Sequence, residues 1–253
     1  MTVYSCVHEW DAMLTCIYVA WMSKLGQQNI RLELEEDETT QHELFTEYVH
    51  VDADEEKTNK VIDAILMKIS PHVYHELAYT AMAYEPDVLD NIYRVLILGF
   101  AYGPSVLEMV QYRDVMRNRE IRIRLGNEAC RFQEITRFHD VGNNLLVAHI
   151  EPKSRIAMRV AADFAVRMPS ENWVIVDDTH NEAVVHPKNE PYYIRKLDEA
   201  SKRQLQQTEE RNDEYTDLWK LFFNTIAIEQ RKNPKLQMQH MPLWAREHVV
   251  EFH

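Results

Sequence analysis

Hydrophobic positions in the N-terminal half recur with the period of a helix. Near the start, one apolar face predicts a helix that packs in the core, formed by Trp10, Met13, Leu14, Ile17, Tyr18, Trp21 and Leu25. Cap and stop signals predict three more helices: Asp54 begins one that reaches about Ile69, Ser70-Pro71 begins the next, and the third covers residues 86–102. Strands are expected only at residues 2–6 and 45–51. The N-terminal half is therefore predicted to be mostly helical.

In the second half the apolar pattern changes to the alternation of strands. Strands are predicted at residues 135–140, 145–150, 173–176, 183–186 and 192–195, and a helix capped by Ser154 is predicted to reach about Arg167. Residues 141–144, Val-Gly-Asn-Asn, have the composition of a hairpin turn between the first two strands. These elements predict an antiparallel sheet with helical cover and hence an α+β fold.

A third pattern lies near the C-terminus. One apolar stripe predicts a long, strongly buried helix that packs back on the body, formed by Tyr215, Leu218, Trp219, Phe222, Phe223 and Ile226. Pro234 biases Asn233 away from the helical region, so the helix should end there with Arg231 and Lys232 in its last turn. The chain is thus expected to have a body at residues 1–197 and a helical segment at 198–253, together forming one structural unit.

The charge distribution modifies the meaning of the net charge. The 253 residues carry a formal net charge of −13, which by itself disfavours a nucleic-acid binder. However, residues 31–56 contain eleven acidic residues and one basic residue, so most of the excess lies in one short region. Residues 113–137 hold seven arginines against four acids, and residues 219–246 hold five basic residues against one acid. Two mildly basic segments therefore stand out from an acidic background.

The arginines of residues 113–137 admit two interpretations. On one helix continued through Gly126, several fall on a shared face that also carries Glu120 and Glu128: Arg113, Arg117, Arg124 and Arg131. These side chains can form a ladder of surface ion pairs. Alternatively, Arg131 and Arg137, which lie beside Phe132 and Phe138, have the composition of a surface that grips phosphates and stacks bases.

A search for catalytic and cofactor motifs is negative. The sequence has no G-x-S-x-G elbow and no glycine-rich phosphate loop. Its three cysteines, Cys6, Cys16 and Cys130, lack C-x-x-C spacing and are predicted to be reduced and buried. Asp177-Asp178 with His180 and His186 could carry acid–base or metal chemistry, but a hairpin turn explains the aspartates equally well. No metal site or cofactor is predicted, and no apolar run approaches the length of a membrane span.

Three stretches resemble a bacterial family of DNA metabolism or DNA repair proteins whose function is undetermined. They are residues 4–25, residues 128–152, which include Val147-Ala-His-Ile-Glu-Pro152, and residues 226–244, which include Ile226-Ala-Ile-Glu-Gln-Arg-Lys-Asn-Pro-Lys-Leu-Gln237. The resemblance covers nearly the whole chain, and one departure is Glu134, where a glycine is expected. It implies a radical S-adenosylmethionine protein encoded nearby as a partner, an occasional fusion to a uracil-DNA glycosylase domain, and a cytoplasmic location.

The resemblance and the basic segments lead to one main hypothesis and two alternatives. The main hypothesis is an accessory protein of DNA repair or modification whose nucleic-acid contacts come from Arg131, Arg137, Arg231, Asn233, Lys235, Gln237 and Trp244. The first alternative is a stand-alone enzyme acting on damaged bases or nucleotides. The second is a protein-binding adaptor that does not contact DNA and uses its acidic residues 31–56. Whether the protein is an enzyme stays open at this level.

Overall fold

The computed structural model describes residues 1–35, 46–198, 202, 214–226, 233–246 and 248–249. The fold is α+β, as predicted. Two compact units divide the chain, Met1–Leu125 and Gly126–His253, and the division falls within one long helix. The division expected at residue 197 stays a prediction.

The first unit combines a small parallel sheet with helices. Its described elements are β1 (Thr2–Cys6), α1 (Trp10–Met22), β2 (Ile30–Leu34), β3 (Glu47–His50), α2 (Glu55–Lys68), α3 (Pro71–Thr80) and α4 (Val88–Tyr102), with short 3-10 helices at Gln27–Asn29 and Gly103–Glu108. The strands are ordered β2-β1-β3 and both pairings are parallel. The sequence did not predict β2, because its alternation of apolar and charged residues is short and lies beside the acidic region.

The helix caps of this unit agree with their predictions. The Asp54 side chain accepts a hydrogen bond from the Lys57 amide at 3.1 Å, and the Ser70 hydroxyl accepts one from the Val73 amide at 3.1 Å. One core prediction is wrong: Trp21 is 45% exposed, and Leu25 lies beyond the end of α1 and is also exposed. The Trp21 ring makes edge contacts with its aromatic neighbours, which leave part of its surface open.

The second unit contains a mixed sheet instead of the expected antiparallel one. Its elements are the C-terminal part of α5 (Arg113–Ile135), β4 (His139–Asp140), β5 (Leu145–Ile150), α6 (Ala157–Arg167), β6 (Asn172–Asp177), β7 (Glu182–His186), β8 (Tyr193–Lys196), α7 (Glu214–Ile226), α8 (Pro234–His240) and a 3-10 helix at Leu243–Ala245. The strand order is β4-β5-β6-β7-β8, and β5 and β6 are parallel while the other pairs are antiparallel. The intervening helix α6 supplies the crossover that a parallel pair needs.

Two boundaries around this sheet also differ from the predictions. Because α5 continues to Ile135, Glu134 lies within the helix and the predicted strand at 135–140 shrinks to β4. Helix α6 begins at Ala157, since the Ser154 amide donates to Glu128 and its side chain does not cap the helix. The predicted turn between β4 and β5 is confirmed, with positive φ at residues 142–144.

The C-terminal helices show one confirmed element and two corrections. Helix α7 occupies the predicted region, but Leu218, Trp219 and Phe222 are exposed among the described residues, so the prediction of strong burial is wrong. Asn233 and Pro234 begin a helix, α8, because proline suits the first helical position and the Asn233 side chain accepts from the Leu236 amide at 3.1 Å. Residues 227–232, which include the predicted helix end, lie outside the described part of the chain. The buried Ala245 and Val249 follow α8.

Candidate functional site

Two cations of the second unit lie against one indole ring. The Arg131 guanidinium carbon, on α5, is 5.7 Å from the centre of the Trp244 ring, and the Lys153 ammonium, in the loop after β5, is 5.1 Å from it. The ring also contacts Phe132, with the two ring centres 6.0 Å apart. Arg131 Nε donates to the carbonyl oxygen of His240 at 3.1 Å, which links α5 to the end of α8. We call Arg131, Lys153 and Trp244 the indole cluster.

Helix α5 positions the indole cluster through three residues on one face. Glu128, Arg131 and Phe132 are spaced three and four apart, so their side chains project together. The buried Glu128 carboxylate accepts hydrogen bonds from the Lys153 amide at 2.7 Å and the Ser154 amide at 3.3 Å. The loop after β5 is thereby held against α5, and its exposed Lys153 side chain reaches Trp244.

The indole cluster has the chemical groups of a nucleotide-binding surface. Guanidinium and ammonium groups bind phosphate oxygens, and a tryptophan ring presents a π-face on which a base can stack. Trp244 is half-buried, so part of its surface is covered by the protein and part is open to solvent. A cation beside an indole is also favourable by itself, by about 0.5–2 kcal/mol.

A second polar group lies at the carboxyl ends of β5 and β6. Because these strands are parallel, with Ile150 opposite Asp177, the ends of both strands meet at the same edge. There the His149 Nδ1 atom lies 2.7 Å from Asp178 Oδ2. His248 Nε2 lies 3.8 Å from Asp178 Oδ2 and 3.7 Å from Glu151 Oε1, and the two imidazole centres are 5.6 Å apart. We call these four residues the histidine cluster.

The histidine cluster borders a small cavity that Trp244 also lines. The cavity has about 10 Å³ open to the centre of a water molecule, which is room for one water. The His149 side chain is 2% exposed, whereas Glu151 at the rim is 43% exposed, so the cluster leads from the surface into the interior. Among the described residues, His149 Nε2 and Asp178 Oδ1 are buried without a hydrogen-bond partner. Such atoms are costly to bury unless a ligand or water satisfies them.

The remaining residues of the predicted Asp177-Asp178-His180-His186 set have structural contacts. Asp177 is fully buried, and its carboxylate accepts from the His180 amide at 3.0 Å and lies 2.8 Å from His180 Nδ1, which organises the turn after β6. His186 stacks on Trp173 with ring centres 4.6 Å apart and is buried. Asp178 is therefore the one member of the set that joins the histidine cluster.

The other predicted nucleic-acid residues are distributed as follows. Arg137 lies 5.3 Å from the centre of the Trp219 ring on α7 and donates to the Glu134 carbonyl oxygen at 2.9 Å. Asn233 caps α8, while Lys235 and Gln237 are exposed on that helix. Arg231 lies outside the described residues. The structure thus joins Arg131 with Trp244 directly, and it pairs Arg137 with a different tryptophan.

The predicted arginine ladder on α5 is largely wrong, since the arginines of its N-terminal part pair with other elements. Arg117 donates to both oxygens of Asp87, each at 2.7 Å, and its contact with Glu120 is longer, at 3.6 Å. Arg122 forms an ion pair with Glu76, and Arg124 lies 3.9 Å from Glu85. These pairs belong to the first unit and leave Glu128 to its role in the second.

Sequence reasoning missed four residues of the two clusters: Lys153, His149, His248 and Glu151. The available signal was the stretch Val147-Ala-His-Ile-Glu-Pro152, in which a histidine and a glutamate end an apolar strand. Polar residues at the end of a buried parallel strand often mark sites in α/β proteins. Because the pattern predicted an antiparallel sheet, this inference could not be made. Cys130, predicted to be buried, is exposed.

Two general searches of the described residues complete the site. No group of three or more His, Cys, Asp or Glu side chains is arranged to hold a metal ion there. No single described helix is long and apolar enough to cross a membrane, although the bent pair Val88–Glu108 and Arg113–Ile135 passes by length and composition alone.

The fold and the two clusters define an α+β protein with a polar site in its C-terminal unit. A family model described as a domain of unknown function, DUF4130, matches residues 86–251 and so includes every residue of both clusters. The chain belongs to this family. No significant match was found among curated proteins.

Proposed function

We propose that this protein is an accessory protein of DNA repair or DNA modification that contacts nucleic acid through the indole cluster. The observation that carries the proposal is the position of Arg131 and Lys153 within 5.7 and 5.1 Å of the same ring of Trp244. A polynucleotide offers the matching groups, because phosphates alternate along it with planar bases. Cation contacts with phosphates supply affinity, and stacking on the indole adds binding without a sequence requirement.

The charge distribution supports contact through one surface only. With a net charge of −13, the chain as a whole repels a polyanion, so binding depends on local groups that oppose the total field. The basic residues 113–137 and 219–246 contribute Arg131, Arg137 and the segment that carries Trp244. Arg137 beside Trp219 repeats the arrangement of a cation and an indole and is a second point of contact in this proposal.

The resemblance supports the pathway and the partner. It implies that the protein acts in the cytoplasm together with a radical S-adenosylmethionine protein encoded nearby. In this proposal the partner performs the radical chemistry, while the C-terminal unit contacts the nucleic acid.

Fluorescence anisotropy with single- and double-stranded oligonucleotides tests the proposal at salt concentrations from roughly 50 to 200 mM, where phosphate contacts weaken measurably. The wild-type protein is expected to bind, with an affinity that falls as salt rises. Arg131→Ala should weaken binding, and Arg122→Ala, on the same helix but paired with Glu76, serves as the matched control. Absence of binding at the lowest salt concentration would overturn the proposal. Co-purification with the radical partner tests the second part separately.

A further inference from the structure

The histidine cluster has no role in nucleic-acid contact as described above, yet it has the organisation of an acid–base site. We propose that His149, Asp178 and His248 form a hydrolytic site that cleaves phosphodiester bonds, with His149 as the general base. This reaction goes beyond the binding of nucleic acid. The choice of a nucleic-acid strand as the natural substrate rests on the proposed function, whereas the chemistry of the cluster does not.

The first argument is the orientation of His149. Its Nδ1 atom lies 2.7 Å from the Asp178 carboxylate, so Nδ1 carries the proton and Nε2 is the nitrogen able to accept one. Nε2 is buried without a hydrogen-bond partner among the described residues, and the residue lines a cavity with room for one water. Asp178 also stabilises the imidazolium that forms when Nε2 takes a proton. A carboxylate that orients a histidine in this way is a recurring catalytic arrangement.

The second argument is the presence of a second imidazole. His248 lines the same cavity, its ring centre is 5.6 Å from that of His149, and its Nε2 lies 3.7 and 3.8 Å from the carboxylates of Glu151 and Asp178. Two nearby carboxylates favour the protonated form of an imidazole. His248 is thus placed to donate a proton while His149 accepts one.

The third argument identifies the substrate class. Trp244 lines the cavity, and Arg131 and Lys153 lie against its ring, so an anionic group bound by these cations is adjacent to the cavity. A phosphodiester supplies that negative charge, and its bases can stack on the indole. Cations beside the reacting phosphate also stabilise the charge that develops on its oxygens.

The reaction balances with the groups present. Water attacks phosphorus, and one water proton passes to His149 Nε2 as the new P–O bond forms. The P–O bond to the leaving oxygen breaks, and that oxygen takes a proton from His248. The products are a phosphomonoester and an alcohol, and exchange with solvent returns the two imidazoles to their starting protonation states. No oxidant or reductant is required.

Hydrolysis of bis(4-nitrophenyl) phosphate and of a fluorescent single-stranded oligonucleotide, both in EDTA, tests this proposal with the full-length protein. Wild-type protein should cleave both substrates. His149→Gln should lower kcat by at least about 100-fold for both, the usual contribution of a general base. Asp178→Asn should lower kcat by at least about tenfold, since the histidine loses its orienting charge. Circular dichroism of each variant checks that it is folded.

The second imidazole has a distinctive expected result. His248→Gln should slow oligonucleotide cleavage strongly but change bis(4-nitrophenyl) phosphate hydrolysis little, because nitrophenolate leaves without needing a proton. The pH dependence of oligonucleotide cleavage should be bell-shaped in the wild type and lose one limb in this variant. A purely structural role of His248 would slow both substrates equally.

The controls separate this proposal from the proposed function. His72→Gln, an exposed histidine of α3, should retain full activity, and identically purified His149→Gln protein detects any contaminating nuclease. If wild-type protein cleaves neither substrate, or if His149→Gln retains full activity, the hydrolytic site is refuted even when oligonucleotides bind. If bis(4-nitrophenyl) phosphate is cleaved but oligonucleotides are neither bound nor cleaved, the hydrolytic site stands and the proposed function fails.

Discussion

The arginines at the two ends of α5 are used in different ways. In the N-terminal part, Arg117 and Arg122 meet carboxylates of the first unit, Asp87 and Glu76. In the C-terminal part, Arg131 meets a backbone carbonyl and the ring of Trp244. A carboxylate neutralises an arginine, whereas a carbonyl and an indole leave its positive charge available to an anion. The same residue type therefore stabilises the fold at one end and prepares an anion-binding surface at the other.

Replacement of Trp244 should give the largest effect on this contrast. Trp244→Ala removes the stacking surface, so we expect nucleic-acid affinity to fall by about 10- to 100-fold, since stacking contributes about 1–3 kcal/mol per base. Trp244→Phe should retain part of the affinity. Trp21→Ala is the matched control, because Trp21 is an exposed tryptophan of the first unit. Anisotropy titrations measure all three, and equal losses in Trp244→Ala and Trp21→Ala would remove the distinction between the two units.

A buried carboxylate of the first unit should give the next effect. Burial raises the pKa of Glu85, and Oε1 lacks a hydrogen bond in the described structure. A raised carboxyl pKa means that the folded state binds the proton more tightly, so its cost is present at neutral pH and disappears as pH falls. Glu85→Gln should therefore be more stable than wild type by about 1 kcal/mol at pH 7, the scale of an unsatisfied buried polar group. The difference should vanish below about pH 4, near the unfolded pKa.

Urea unfolding at both pH values measures the Glu85 effect. Exposed Glu108→Gln provides the control and should change stability little at either pH. A destabilised Glu85→Gln at pH 7 would show that the contact with Arg124 outweighs the cost of burial.

Removal of Arg131 tests the contrast directly. Arg131→Ala should weaken oligonucleotide binding about five- to tenfold near 100 mM salt and reduce the slope of log affinity against log salt by about 1. Arg122→Ala, nine residues earlier on α5, should leave both quantities unchanged, because Arg122 is neutralised by Glu76. The two variants are compared by salt-dependent anisotropy. An equal change of slope in both variants would contradict the division of labour along the helix.

The smallest effect is expected from the ion pair of Asp87 with Arg117. The hydrogen bonds from Arg117 hold the pKa of Asp87 below its usual value. A lowered carboxyl pKa contributes stability that is present above the unfolded pKa, about 3.9, and is lost as pH falls through the lower folded pKa. Because both side chains are partly exposed, Asp87→Asn should cost only about 0.5 kcal/mol at pH 7.

Urea unfolding at pH 7 and near pH 2 follows the Asp87 effect, which should be smaller at the lower pH. Oligonucleotide binding should be unchanged in Asp87→Asn. A loss of binding would indicate that Arg117 belongs to the anion-binding surface after all.

Local signals were sufficient to predict much of the fold. Asp54 and Ser70 were identified as caps because a short polar side chain before an apolar helix satisfies its first amides. The turn at residues 142–144 was identifiable because glycine and asparagine tolerate positive φ. These outcomes depend on contacts between residues close in sequence, which a pattern of residues records directly.

The predictions that failed depend on contacts between residues far apart in sequence. The direction of β6 relative to β5 depends on how α6 crosses the sheet, and the apolar pattern of a strand is the same whichever neighbour it pairs with. The exposure of α7 likewise depends on what covers its apolar stripe, which the spacing of that stripe does not specify.

The candidate site shows the same division. The sequence by itself determined an α+β chain with two basic segments and selected Arg131 and Trp244 as residues of interest. Only the tertiary structure decided that these two residues meet, that Lys153 joins them, and that His149, Asp178 and His248 gather at one edge of the sheet. The physical reason is that a site is built from side chains separated by up to about a hundred residues, and their convergence depends on packing and strand register rather than on any local preference.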